Sequence, residues 1–236
     1  MAIAIDSVTN GGAAGPVSSL TFSHTVTSDS FNRIIVVGAT VERGLTVSSI
    51  TYGGQGLTLV ISQTQPSNTD AVSYLYYLVD PPTGTNDVVV SVSGGTGFIG
   101  AGSISFTEAH QTDPIDGTSG AGARLLSTSS ISTTHTTSYD NSYVVNNIGI
   151  FLSTGGIVSV AVMSGETSRW GGAAGDGNGK TVYSNGATEQ AVTAGNTTTG
   201  YTWTNQSADG GIVFVTMGIR EDTVQASSWS PKTISY

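Results

Sequence analysis

The sequence predicts an all-β protein, an antiparallel two-sheet β-sandwich of the jelly-roll kind with an extended arm at each end. Three observations carry this reading. The first is which residues are plentiful: Val (24), Ile (16) and Thr (34) total 74, whereas Leu, Met, Glu and Lys together number 19. β-Branched side chains lose rotamer freedom against a helical turn but pack well on a pleated surface. The second is alternation of apolar and polar residues with period two, which puts every other side chain on one face of a strand. The third is punctuation, because Gly, Pro, Asn and Asp recur at roughly 8- to 12-residue spacing, as between the strands of a sandwich. No helical stretch of about 10 to 15 residues separates the runs, which argues against a parallel sheet.

Taken in order, residues 1–16 end in Gly11-Gly12-Ala13-Ala14-Gly15-Pro16 and read as an N-terminal arm ahead of a sandwich domain at 17–220. Leu20, Phe22, His24 and Val26 then share one face of a strand predicted from Val17 to Thr27. Arg33 to Val37 is continuously apolar after its first residue, which suits a strand buried on both faces. Val47 to Tyr52 ends at Gly53-Gly54 and is followed by Leu57 to Ser62, then Val72 to Val79 before Pro81-Pro82-Thr83-Gly84. Asp87 to Ser93 ends at Gly94-Gly95, and Phe98 to Thr107 and Leu126 to Thr133 come next. Asp140-Asn141 introduces Ser142 to Leu152, and Gly155-Gly156 separates it from Ile157 to Met163. The segment Gly171 to Gly179 is so rich in Gly and Ala that it must be a long exposed loop or a place where backbones approach closely. Lys180 to Ser184, Glu189 to Ala194, Tyr201 to Thr204 and Gly211 to Arg220 complete about fourteen expected strands, with turns expected at Asn178-Gly179, Asn185-Gly186 and Asp209-Gly210-Gly211. Residues 221–236 read as a C-terminal assembly arm, because Trp229 and Tyr236, flanking Pro231, are more aromatic surface than a solvated tail needs.

Composition narrows the function classes. The 236 residues include 7 Lys+Arg against 16 Asp+Glu, a net charge of −9 that argues against nucleic acid as a partner. The absence of cysteine removes disulfides, thiolate metal sites and cysteine nucleophiles. No apolar run approaches the roughly 18 residues of a membrane span, so no membrane partner is expected. Met1 to Asp6 lacks the basic start and apolar stretch of a secretory signal, which predicts synthesis in a host cytoplasm.

Candidate chemistry is sparse. No phosphate loop, dinucleotide fingerprint, HExxH or GxSxG motif occurs, and a non-enzymatic protein is expected. His24 is in phase with apolar neighbours and reads as a sheet residue, whereas His135, in a Ser/Thr run, reads as exposed. Glu108, His110, Asp113 and Asp116 fall within nine residues, although Asp113-Pro114-Ile115-Asp116-Gly117 is also good turn chemistry. Asp113 and Asp116 are the candidate oxygen ligands for Ca²⁺; Asp176 to Lys180 starts like a calcium loop but carries Lys180 and Ala187 where ligands belong. Trp170, Trp203, Tyr201 and Tyr183 are candidates for a platform stacking sugar rings, against the simpler reading that Tyr201 and Trp203 share a core face. Tyr74 and Tyr76, with Leu75 and Tyr77 opposite, suit a strand covered on both sides, with another subunit as a candidate for the second cover.

Several landmarks then take on a family character: Asn32 to Val37, Ile50-Thr51-Tyr52-Gly53-Gly54, Tyr76 to Asn86, Ser105-Phe106-Thr107, Gln111 to Asp116 and Asp140 to Val145. Together they resemble a Gly/Ser/Thr-rich β-sandwich type of tailed-bacteriophage virion proteins and of some bacterial surface proteins. The resemblance spans about residues 17–220, and its motifs mark strand ends rather than catalytic groups. It implies a capsid decoration or cement protein, trimeric through a jelly-roll face and its arms, partnered by itself and by a major capsid protein or other virion protein. A glycan-binding module or receptor-binding virion protein is the competing expectation. Bacterial surface proteins of this type normally carry a secretion signal, and its lack here favours the virion.

Overall fold

The computed structural model describes residues 2–28, 31–65, 71–124 and 129–222. Among them there is no helix, and the strands are β1 (Ala4–Val17), β2 (Ser19–Val26), β3 (Ile34–Glu42), β4 (Thr46–Tyr52), β5 (Gln55–Gly56), β6 (Thr58–Thr64), β7 (Ala71–Val79), β8 (Gly84–Ser93), β9 (Gly97–Thr107), β10 (Ile115–Arg124), β11 (Ser130–Thr137), β12 (Ser142–Val162), β13 (Thr167–Gly175), β14 (Thr181–Ala191) and β15 (Gly195–Ile219). All pairings between them are antiparallel. The chain is therefore an all-β antiparallel sandwich.

Three sheets are stacked where two were expected. The central one runs β1-β9-β3-β7-β6; a four-stranded sheet, β2-β8-β4-β5, covers one face; a sheet ordered β10-β15-β12-β14-β13, with β11 on β15, covers the other. The reason lies in β3, whose residues Ile34 to Val41 are all buried. Ile35, Val37, Ala39 and Val41 enter one core with Ile50, Tyr52, Val88 and Val90, and Ile34 and Val36 enter a second with Val145, Val215 and Met217. An aliphatic strand gains about 1.5–3 kcal/mol per side chain buried, so a sheet apolar on both faces needs two covers. Tyr74 and Tyr76 lie in the first core and Leu75 in the second, so the second cover of that strand comes from the same chain.

Strands β12 and β15 are 21 and 25 residues long, well beyond the usual strand, and the ribbon they form bends back over its own sheet. Register shifts between Leu152 and Ser159 mark the bend. Gly210 is required there, since a Cβ would lie 1.9 Å from the Phe151 carbonyl oxygen. Val160, Val162, Tyr201 and Trp203 of the returning part thus pack on Ile148, Ile150, Ile212 and Phe214.

Several expectations are corrected by this geometry. Residues 4–17 are not an arm but the edge strand β1, paired with β9. The Gly-rich run was read as a hinge because small residues hide strand alternation. Gly11 and Gly15 are instead sites where Phe22, Ala101 and Phe98 leave no room for a Cβ. Gly155-Gly156, Asn185-Gly186 and Asp209-Gly210-Gly211 lie inside β12, β14 and β15 rather than at turns. Each therefore joins two strands expected to be separate. Strand β10 occupies a stretch read as turn chemistry, because IDGTSGAGAR has almost no apolar alternation. The segment from Gly171 begins as part of β13, of the close-approach kind: a Cβ on Gly172 would meet the Gly12 backbone at 2.8 Å. The arm residues Trp229, Pro231 and Tyr236 lie outside the described residues.

Candidate functional site

The sugar platform does not exist on this surface. Trp170 is 2% exposed and Trp203 4%, Tyr201 is buried and Tyr183 half-buried. Trp170 lies between the central sheet and β14, its indole over Gly38, Gly102 and Gly186 and its Nε1–H donating to Asn147 Oδ1 at 3.2 Å. Tyr201 donates its hydroxyl proton to Asn146 Oδ1 at 2.8 Å. A stacking site needs an exposed ring face, and these rings are core.

The calcium reading fails on the same kind of observation. Asp116 is buried and its carboxylate is engaged: Ser138 N–H donates to Oδ1 at 2.8 Å, while Tyr139 N–H at 3.2 Å and the Ser142 hydroxyl at 2.6 Å donate to Oδ2. Asp113 instead accepts from Arg220 Nη1 at 2.9 Å. No group of three or more potential ligands occurs among the described residues. Asp176 uses its carboxylate on Asn178 and Lys180 N–H groups, an Asx turn. Replacing Asp116 by Ala is expected to cost about 2 kcal/mol, since the buried Ser142 hydroxyl and two part-buried N–H groups lose their acceptor. Urea unfolding measures the loss, and added Ca²⁺ should leave the native transition unmoved.

The histidines divide differently from the expectation. His135 is buried rather than exposed, with Nδ1 on Thr216 Oγ1 at 2.8 Å and Nε2 on the Asp116 carbonyl at 2.9 Å, so Nε2 carries the proton. Burial lowers its pKa. His24 is buried on β2 as expected. The Ser105 hydroxyl donates to Asp6 Oδ2 at 2.8 Å, so His24 Nε2–H must donate to Ser105 Oγ, and the single lone pair of Nδ1 is shared by the Thr9 and Ser103 hydroxyls, each 2.9 Å away. Serine stands between histidine and aspartate, which is not the order that activates a nucleophile. Desolvation, opposed in part by Asp6, lowers the His24 pKa to about 4. Below pH 6.5 the unfolded chain takes up a proton that the folded chain refuses, so stability falls as the pH drops towards 4, by about 2–3 kcal/mol at pH 4.5. Denaturant unfolding at pH 7.5 and 4.5 of the native protein and of His24→Gln isolates this increment, which the variant should lack.

Sequence reasoning missed one pair of carboxyls. Glu166, in the turn after β12, and Glu189, on β14, both have pKa values raised by burial, and Glu189 adds repulsion to Glu166. Glu166 accepts from the Asn146 amide, from Met163 N–H at 3.3 Å and from Gly200 N–H at 3.0 Å, which clasps the returning ribbon to its sheet. Nothing in a 23-residue separation signals this contact.

The remaining candidate is one end of the molecule, built by the loops at 31–33, 108–116, 138–141 and 191–195 and by the last described residues. Asn32 donates to Asp222 at 2.8 Å, Asn141 donates to Glu221 at 3.2 Å, and Glu108 is bonded through its backbone to both Phe31 and Asp222. All four non-glycine residues with positive φ among those described, Asn32, Asp80, Glu108 and Asn141, belong to this end. Asn and Asp tolerate that conformation, but Glu108 at φ 58° does not easily, and held strain of this kind clusters where a surface has a task. No protein-family model and no curated protein matches the chain. The end surface is therefore read from its own chemistry. Arg33 pairs with Asp80 at 2.5 Å, and Arg220 lies over the Tyr139 ring at 4.3 Å. At the same end Phe31 and Val192 are each 68% exposed, and Tyr139 is 44% exposed. Exposed apolar groups thus stand beside fixed ion pairs on one surface.

Proposed function

We propose that this chain is a non-enzymatic structural protein of a bacteriophage virion, a capsid decoration or cement protein assembling as a homotrimer on a major capsid or other virion protein. The observation that carries the reading is connectivity. The chain alternates between two sheets so that β1-β9-β3-β7 faces β2-β8-β4-β5, the order expected of two interlocked Greek keys in an eight-stranded jelly roll. Further support comes from the third sheet, which packs on this unit through the second core, and from the exposed faces of β2 and β11, which consist of Ser and Thr. Such a face is soluble at high local concentration, and an acidic chain is not drawn to packaged DNA.

Light scattering of the native chain and of a version ending at Asp222 tests the assembly reading. The intact chain is expected near 72 kDa, about three times the 24.0 kDa of one chain, and the shortened one near one chain mass. A monomeric intact chain, or purified particles without this protein, would overturn the reading.

A further inference from the structure

We propose that the patch formed by Phe31, Tyr139 and Val192 is the docking surface for the C-terminal segment, residues 223–236, of a second copy of this chain. The inference rests on the assembly reading above and names the surface and the partner segment. Three of the four large apolar side chains left exposed among the described residues stand at this one end, Leu59 being the fourth. Each is tied to the last described residues, Arg220 to Asp222. Phe31 precedes Asn32, whose amide holds Asp222. Val192 accepts through its carbonyl from Asn141 N–H, and the Asn141 amide holds Glu221. The Tyr139 ring lies against Arg220. Exposed apolar side chains scattered singly need no explanation, but three tied to one three-residue stretch do.

The segment beyond that stretch has the complementary chemistry. Its fourteen residues include Val224, Trp229, Ile234 and Tyr236, and its only charged side chain is Lys232. The same end carries Asp80, Asp113, Asp140, Glu221 and Asp222 against Arg33 and Arg220, an acidic balance that a segment bearing a single cation fits. Fully extended, fourteen residues reach roughly 45–50 Å, enough to cross to a neighbouring copy. Three copies meeting at this end about a three-fold axis can then pass segments round the ring, each filling the patch of the next.

Because the chain has no cysteine, single thiols report the contact directly. Thr193→Cys, beside the patch, and Ser230→Cys, beside Trp229, each leave the proposed contact residues in place. Co-expressed and treated with a short bismaleimide, the two variants are expected to give a mixed covalent dimer at several times the yield of either alone. Phe31→Ser combined with Val192→Ser, changes at exposed positions, should weaken association at least tenfold by light scattering while leaving the circular dichroism of the sheets unchanged. If oligomers persist undiminished in that variant and no mixed dimer forms, this surface is wrong although the assembly reading stands. Cross-linking only within one chain carrying both thiols would show the segment folding onto its own patch and would also overturn the proposal. A native chain that is monomeric at all concentrations would sink the assembly reading and this inference with it.

Discussion

Gly186→Ala is expected to destabilise the protein by about 3 kcal/mol, the upper end of what overpacking normally costs. A Cβ at this position would lie 1.9 Å from Trp170 Cζ2 and 2.0 Å from Cε2, distances at which the ring itself must move. It has nowhere to go. Gly102 on β9 approaches the same ring from another side, with 2.2 Å to Trp170 Cγ, and Gly38 on β3 stands 2.7 Å from Cζ2. The indole is therefore seated in a slot whose walls are backbone from two sheets, and three glycines are the condition for it. The test is a double-mutant comparison by urea unfolding. In a Trp170→Leu background the added methyl should cost under about 1 kcal/mol, because the two changes relieve each other and are not additive. Gly56→Ala, where a Cβ would find open space, is the control and should change little. Equal costs of Gly186→Ala in both backgrounds would show that the ring does not set the constraint.

The slot also shows how far the sequence could be read. Strands such as β3 and β7 were legible because their apolar content is dense, and burial follows from side-chain chemistry alone. The polar face of β2 was legible for the same reason, since Leu20 and Val26 alternate with Ser and Thr. Gly186 was misread as a turn signal, because the sequence shows a glycine after an asparagine but not the tryptophan sixteen residues earlier that demands it. β1 was misread as an arm for a related reason: its glycines answer to Phe22 and Phe98, which reach it only after folding. Trp170 and Trp203 could be listed as ring platforms from sequence, yet exposure is decided by which sheet closes over them. The acids Asp113 and Asp116 were read together as turn residues, but Asp116 is a buried acceptor on β10 and Asp113 a surface partner of Arg220, a distinction that needs coordinates. Acids of the end surface such as Glu108 and Asp113 were noticed, but not the surface they build, because its parts are separated by as many as 190 residues, as in the Asn32–Asp222 hydrogen bond.

The joint between the central sheet and the six-stranded sheet depends on one amide, and Asn147→Ala is expected to cost about 4 kcal/mol. Asn147 is fully buried on β12 with its side chain directed at the central sheet. Its Nδ2 donates towards Ser73 Oγ at 2.8 Å, Thr40 Oγ1 at 3.1 Å and the Ala39 carbonyl at 3.2 Å, so two hydrogens serve three acceptors. Its Oδ1 accepts from Trp170 Nε1 and from Ser184 Oγ, both at 3.2 Å, while the Ser73 hydroxyl donates back to the Asn147 carbonyl. Alanine leaves the indole N–H and the Ser184 hydroxyl without an acceptor in a dry interface, at about 1–3 kcal/mol for each unmade bond, and adds a cavity. Asn147→Asp should be worse at neutral pH, because a buried carboxylate would face the Ala39 carbonyl. Its pKa would be raised in the folded state, so stability lost at high pH should return as the pH falls and the acid protonates. Removing the partners as well separates the amide's bonds from simple packing. In a Trp170→Phe, Ser184→Ala background, Asn147→Leu should cost far less than the single changes predict, since an apolar replacement strands fewer donors. If Asn147→Ala instead unfolds within about 1 kcal/mol of the native chain, the amide is not what joins the sheets. The third sheet would then be held by its apolar core alone, and the rigidity of an assembled particle would have to come from contacts between copies.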